Sequence, residues 1–170
     1  LYTQPLTSVI LKHPVSHMLY ADDTQVYKSF GLNDCLSSIL CVEKCVSDVK
    51  TWMTSNKLQM NEDKTEVLLV TAKRVVNLQH LPEFMNINGT CVKFSPSVRN
   101  LGVILDSTLS LHQHVINVCR VAYLELRRIN SIRNLLSIDA VKTLVCSLVL
   151  SRLDYCNSLL VGLPQYLIKR

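Results

Sequence analysis

Asp22 and Asp23 stand side by side between two β-prone runs within residues 17–30. Two carboxylates on a tight turn put like charges into one small volume, and that is costly unless a cation neutralises them. Hard divalent ions such as magnesium take oxygen ligands of this kind. Two such ions, about 3.5–4 Å apart, can activate the attacking oxygen of a phosphoryl transfer and stabilise the leaving one. The plain alternative is a solvated turn, because aspartate is common in turns; for an Asp-Asp pair taken alone it is the commoner case.

Other groups carry weaker chemistry. Arg120, Arg127, Arg128 and Arg133 lie along an expected helix, where they can meet phosphates or simply face water. His112 and His114 are two apart near a helix start, poor support for a metal site without further ligands. Trp52 and Tyr123 sit on apolar stripes and are expected in the core. There is no phosphate-cradling glycine loop, and no Ser-His-Asp arrangement with supporting context.

The elements that must position these groups follow from periodicity. Residues 1–16 mix apolar residues with Pro5 and Pro14 and read as the tail of an earlier element. Residues 17–30 read as a hairpin with Asp22 and Asp23 at its tip. Gly31 to Asp34 offers a break and a cap. After it Leu36, Ile39, Val42, Cys45, Val46, Val49, Trp52 and Met53 form a helical stripe, with Asn56 as its stop. Thr65–Thr71 reads as a strand, Asn88-Gly89 as a hairpin turn, and Val98–Leu105 as one further strand. Ser110 and Gln113 form a capping-box pattern ahead of a helix burying Val115, Cys119, Ala122, Leu126 and Ile129. Ser137 opens another helix through Val141, Leu144, Val145 and Leu148, ending before Gly162.

The layout is therefore α+β: a mixed part over 1–106, then an all-helical part over 107–170. Charge divides the same way. Residues 1–106 hold ten Lys/Arg and ten Asp/Glu; residues 107–170 hold eight against three, which is the whole net charge of +5. An anionic partner for the helical part is one reading, nucleic acid being the commonest; a solvated basic surface is the other. Seven cysteines without CxxC spacing are expected to be reduced and mostly buried, which implies an intracellular protein. No apolar run reaches the roughly 18 residues of a membrane span, and no secretory signal opens the chain.

YADDTQVY (20–27) resembles the catalytic hairpin of reverse transcriptases from non-LTR retrotransposons, the LINE and jockey-like elements. WMTSNKLQMNEDKTEVLLV (52–70) is similar to the segment that follows that hairpin, with Asn-x-x-Lys-Thr-Glu entering a strand. VRNLGVILDSTLSLHQHV (98–115) resembles the block joining palm to thumb, and SRLDYCNSLLVGLPQ (151–165) the end of the thumb-like region. The blocks follow the family's order and span nearly the whole chain.

The resemblance implies a partial right-hand polymerase: an antiparallel palm sheet with a helix over 1–106, then a helical thumb over 107–170. Asp22 and Asp23 would be catalytic metal ligands for two magnesium ions, Asp22 the firmer of the two. Lys64 would lie near the departing pyrophosphate as a general acid. Tyr20, Gly102, Arg120, Arg127, Arg128 and Arg133 would contact nucleic acid, Gly102 by allowing close approach. The substrates implied are deoxynucleoside triphosphates, an RNA template and a DNA primer, in nucleus or cytoplasm.

The chain departs from the family in lacking the fingers and the earlier palm strand with its third carboxylate. LYTQPL at the start resembles the family's chain just after that missing block, and QYLIKR stops where the family continues. The expectation is a fragment that does not extend primers alone. The alternatives are a non-catalytic nucleic-acid-binding remnant and a relic without selected function.

Overall fold

A computed structural model describes residues 4–71 and 82–169. They form two compact units, one of residues 4–67 and 82–95, the other of 68–71 and 96–169. The first residues of LYTQPL and the last of QYLIKR fall outside the described residues. The sequence-based boundary near 106 and this division at Ser95/Pro96 differ, because residues 97–106 fold as a hairpin against the helix that follows them.

In the first unit, helix α1 (Gln4–Ile10) precedes strands β1 (Ser16–Tyr20) and β2 (Asp23–Tyr27), helix α2 (Cys35–Ser55), and strands β3 (Phe84–Ile87) and β4 (Thr90–Lys93). A seven-residue helix is not stable by itself in water. Here Leu6 and Ile10, one turn apart, are fully buried, each worth about 1.5–3 kcal/mol. Within the segment read from sequence as the tail of an earlier element, Gln4–Ile10 is thus a helix held by two anchors.

The long helix α2 serves two cores. Cys45 and Val49 pack with Leu6 and Ile10, joined by Leu19 and Val26 of the first hairpin and by Trp52 and Met53. Nearer the N-terminus, Cys35 and Ile39 pack with Met85 and Ile87 of β3. The expected stripe is therefore present except at Leu36, which is 65% exposed. Asn56 ends the helix as expected: its side-chain amide donates to the Trp52 carbonyl at 2.8 Å, and Lys57 turns left-handed.

The turn Asn88-Gly89 joins β3 to β4 with both φ angles positive, 55° and 92°, the backbone that favours this dipeptide in two-residue hairpins. Thr65–Thr71, in contrast, is no strand. Only Val67 bridges, to Phe94, and its carbonyl accepts from Ser95. The Thr71 amide donates instead to Ser107, so no single edge pairs along the whole run.

The second unit contains β5 (Ser97–Asn100) and β6 (Val103–Asp106), the long helix α3 (His112–Ile132), and α4 (Ile138–Val145). It ends with α5 (Ser151–Asp154) and α6 (Gln165–Ile168). Val98–Leu105, expected as one strand, is a hairpin, because Leu101 and Gly102 both take positive φ, 45° and 85°, and reverse the chain. A π-helical stretch, Cys146–Leu150, joins α4 to α5, and Ser137 caps α4 as expected by accepting from the Ala140 amide. Helical turns persist past Asp154 only as short pieces, since Cys156 is left-handed. Ala122 and Ile129 of α3 and Val149 form the buried centre, with Val141, Leu144 and Val145 around it. Leu126 is 40% exposed rather than buried, and Cys119 is only half-buried.

The six described strands make three separate antiparallel pairs, not the single palm sheet expected. The fold class is mixed α and β. All seven cysteines are free thiols; Cys35 and Cys45 are buried, whereas Cys91 and Cys146 are exposed. No described helix is long and apolar enough to cross a membrane.

Helix α3 does not start with the expected capping box. Its cap residue, Leu111, is left-handed (φ 55°) and makes no side-chain cap. The carboxylate of Asp106 instead braces the turn that leads into the helix. It accepts from the amides of Thr108 (3.0 Å), Ser110 (3.0 Å) and Leu111 (2.9 Å) and from the hydroxyls of Thr108 (2.6 Å) and Ser110 (3.0 Å). Burial by itself would raise this carboxyl's pKa; the hydrogen bonds outweigh it and hold the group far below its ordinary 3.8.

Two outcomes follow for Asp106. Its replacement by alanine removes the acceptor for five donors and lowers unfolding free energy by about 3 kcal/mol or more in urea denaturation; Asp106→Asn, which keeps one acceptor oxygen, costs less. Because the folded pKa is depressed, the stabilisation is complete above pH 3.8 and is lost as pH falls through the folded value. Acid titration of the wild type read by circular dichroism checks this, against an Asp106→Asn protein with a shallower acid limb.

Candidate functional site

Strand alternation places the acidic hairpin. In β1, His17 and Leu19 are partly buried while Ser16, Met18 and Tyr20 face out, and Leu19 with Val26 of β2 anchors the hairpin to the core under α2. The pairing Tyr20↔Asp23 leaves a two-residue loop, Ala21-Asp22. Asp22 thus sits in the loop and Asp23 begins β2, directly across from Tyr20. Directly paired residues share a face, so Asp23 lies on the outward face with Met18, Tyr20 and Tyr27, which are 53%, 63% and 56% exposed.

The left-handed residue of this loop is Ala21 (φ 53°), not an aspartate. An alanine there costs about 1 kcal/mol or more, and the hairpin tolerates it because its strands are fixed on both sides. Both aspartates are exposed, and neither side chain hydrogen-bonds or pairs with another described residue.

Two outward carboxylates suit a hard cation chemically. Among the described residues, however, no group of three or more Asp, Glu, His or Cys forms that could hold a metal. A pair of metal ions needs more oxygen ligands than one carboxylate pair provides, so the described residues do not complete the expected two-magnesium site. Lys64, the other expected catalytic residue, is exposed in a 3₁₀ turn, Glu62–Lys64, whose start Asn61 caps by accepting from the Lys64 amide at 3.2 Å. No ion pair or side-chain hydrogen bond joins Lys64 to Asp22 or Asp23. The groove nearest to it in sequence, roughly 750 Å3, is lined by Lys50, Thr54, Gln59, Asn61, Glu62 and Asp63, with Lys50 paired to Glu62.

In the second unit the expected basic positions are all exposed. Arg120 donates to Asn117 at 3.2 Å, and Arg128 pairs with Glu125 at 3.0 Å. Arg133 caps the C-terminal end of α3. At about 3.6 residues per turn, Arg120 and Arg127 share the face opposite buried Ala122 and Ile129. Tyr123, expected in the core, lies on that solvent side instead and is 58% exposed. Its position between two arginines, rather than its apolar neighbours, was the better signal.

Gly102 is part of the β5–β6 turn, and its open side is occupied. A methyl group there would meet the Tyr155 ring at 3.4 Å, and the Tyr155 hydroxyl donates to the Leu101 carbonyl at 2.6 Å. Tyr155 thus clasps the turn from the segment after α5, a contact between residues 54 apart that sequence reading missed. His114 has a structural role too. Buried in α3, its Nδ1 accepts from the Ile104 amide at 3.3 Å, which ties β6 to the helix. Burial first, and the Arg99 charge second, depress its pKa below 6.5, so the ring stays neutral to accept that bond.

No protein-family model matches the chain, and neither a curated protein nor a solved structure is significantly similar to it.

Gly102→Ala forces alanine into a positive φ and against the Tyr155 ring, and should lower unfolding free energy by about 1–2 kcal/mol. Tyr155→Phe keeps the ring, loses one hydrogen bond, and should cost about 1 kcal/mol. Denaturant melts of the two single variants and the double variant measure their coupling. For His114 the depressed folded pKa means stability complete above pH 6.5 and declining as pH falls below it; His114→Gln should flatten that part of a stability–pH curve.

Proposed function

We propose that this chain is a palm-and-thumb portion of an RNA-directed DNA polymerase of the non-LTR retrotransposon kind, and that alone it binds nucleic acid without extending primers. One observation carries the reading: the acidic dipeptide of YADD occupies the tip of a strand pair, with both carboxylates outward. The matching order of the later sequence blocks and the basic helical part support it. Magnesium would supply charge neutralisation and activation of the attacking oxygen in a complete enzyme. The chain's own contribution is to hold Asp22 and Asp23 on a rigid hairpin and to offer Arg120, Arg127, Arg128 and Arg133 to phosphates of template and primer. A role for Lys64 as a general acid belongs to the same proposal, whereas Gly102, covered by Tyr155, is left out of it. The exposed arginines also favour a second reading, a nucleic-acid-binding remnant without catalysis.

The two readings part at the hairpin. In a manganese titration followed by NMR, the polymerase reading expects selective broadening of amides 20–24, abolished by Asp22→Asn with Asp23→Asn. Uniform weak broadening would leave the binding remnant. Both readings expect RNA–DNA duplex binding that weakens steeply with salt, and Arg127→Ala with Arg128→Ala should reduce the slope of log K against log salt by about 2. Salt-insensitive or absent binding would sink both. Primer extension with magnesium should show no incorporation; incorporation that depends on Asp22 would show the chain to be a complete enzyme after all.

A further inference from the structure

We propose that the Asn88-Gly89 turn between β3 and β4 modifies itself: the Asn88 side chain is converted, with loss of ammonia, to an aspartyl or isoaspartyl residue. The inference is independent of the nucleic-acid reading.

Asparagine is a chemically labile residue. Its lifetime depends on whether the next backbone nitrogen can reach its carboxamide carbon, a matter of proximity and orientation. The chain has eleven asparagines, and only Asn88 is followed by glycine, which puts no side chain in the way of that nitrogen.

Three structural observations bear on the approach. The carboxamide is unheld: Asn88 Nδ2 is buried yet has no hydrogen-bond partner among the described residues, so its departure breaks no such bond. Gly89 is uncrowded: it is exposed, and beyond its chain neighbours nothing lies within 4 Å of where a Cβ would stand. Its amide donates to Asn86 Oδ1 at 2.8 Å, and this one modest bond must open first. Solvent reaches the site, because Asn88 lines an open groove of roughly 510 Å3 with Ser47, Lys50 and Thr51 of α2.

The chemistry needs only water. The Gly89 nitrogen bonds to Asn88 Cγ and gives up its proton to solvent, while the Cγ–Nδ2 bond breaks and Nδ2 leaves protonated as ammonia. Water then opens the cyclic imide. Cleavage at Cγ leaves an aspartyl residue; cleavage at the backbone carbonyl leaves the isoaspartyl form, whose main chain is one carbon longer. Either carboxylate lowers the net charge from +5 to +4. The longer form has a further cost. A two-residue turn sets the register Ile87↔Thr90, and that register carries buried Met85 and Ile87 onto Cys35 and Ile39. An added backbone atom in the turn works against that packing.

Folded protein and chain unfolded in guanidinium are aged at mildly alkaline pH, digested, and the peptide carrying residue 88 is followed by mass spectrometry. The expected result is the mass gain of NH2 replaced by OH, first at residue 88 and faster as pH rises. Since one hydrogen bond restrains the turn, the folded rate should lie within about tenfold of the unfolded one. Asn88→Gly, which accepts the positive φ of this turn, should abolish the gain while thermal melts show the fold retained. The aged products separate by ion exchange, and an isoaspartate-specific methyltransferase marks the longer form. That fraction should unfold at lower denaturant than the aspartyl fraction. If the folded protein keeps Asn88 intact far beyond that tenfold margin, or if Asn130 or Asn157 converts first, the proposal is overturned. If the isoaspartyl fraction unfolds at the same denaturant as unaged protein, the role given to turn length is overturned.

Discussion

Where a strand runs directly into a long helix, the chain must reverse while the first helical amides lose their partners. At the end of β6 one carboxylate holds the reversal that leads into the helix. Asp106 gathers three amides and two hydroxyls from the next five residues and so supports two left-handed leucines, Leu109 and Leu111, that side-chain sterics would otherwise resist. The start of α3 inherits its position from this turn, and the His114–Ile104 bond fixes the helix to the same strand a turn later.

The aspartates of the chain illustrate two uses of one side chain. Asp106 is internally satisfied: its oxygens are consumed by neighbouring donors, and its low pKa records that. Asp22 and Asp23 have no such donors among the described residues and stand on an outward hairpin. A carboxylate with its hydrogen-bonding capacity spent locally stabilises a turn. One with its capacity unspent is available to a partner from outside. Local partners likewise engage Arg128, paired with Glu125, and Arg120, bonded to Asn117.

Much of the local structure was legible in residue order because it depends on nearest neighbours. The hairpin around Asp22, the Asn88-Gly89 turn, the Asn56 stop and the Ser137 cap are all short-range steric or hydrogen-bonding preferences. The stripe of α2 could be read from periodicity, except at its first turn, where Leu36 stays exposed. The capping box before α3 was misread because Ser110 competes with a stronger acceptor four residues earlier. Val98–Leu105 was misread as continuous because one glycine inside an apolar run does not reveal whether it marks a bulge or a reversal.

The sequence by itself determined the charge asymmetry, the placement of two carboxylates on a tight turn, and the two long helices, since composition, periodicity and short-range preferences settle these. Tertiary structure alone decided which contacts are spent. Tyr155 closing over Gly102, His114 serving Ile104, and Tyr123 standing among arginines on the outside of α3 all depend on segments brought together by packing. A side chain's type limits what it can do, but its free donors, acceptors and faces are counted only after its neighbours have taken theirs.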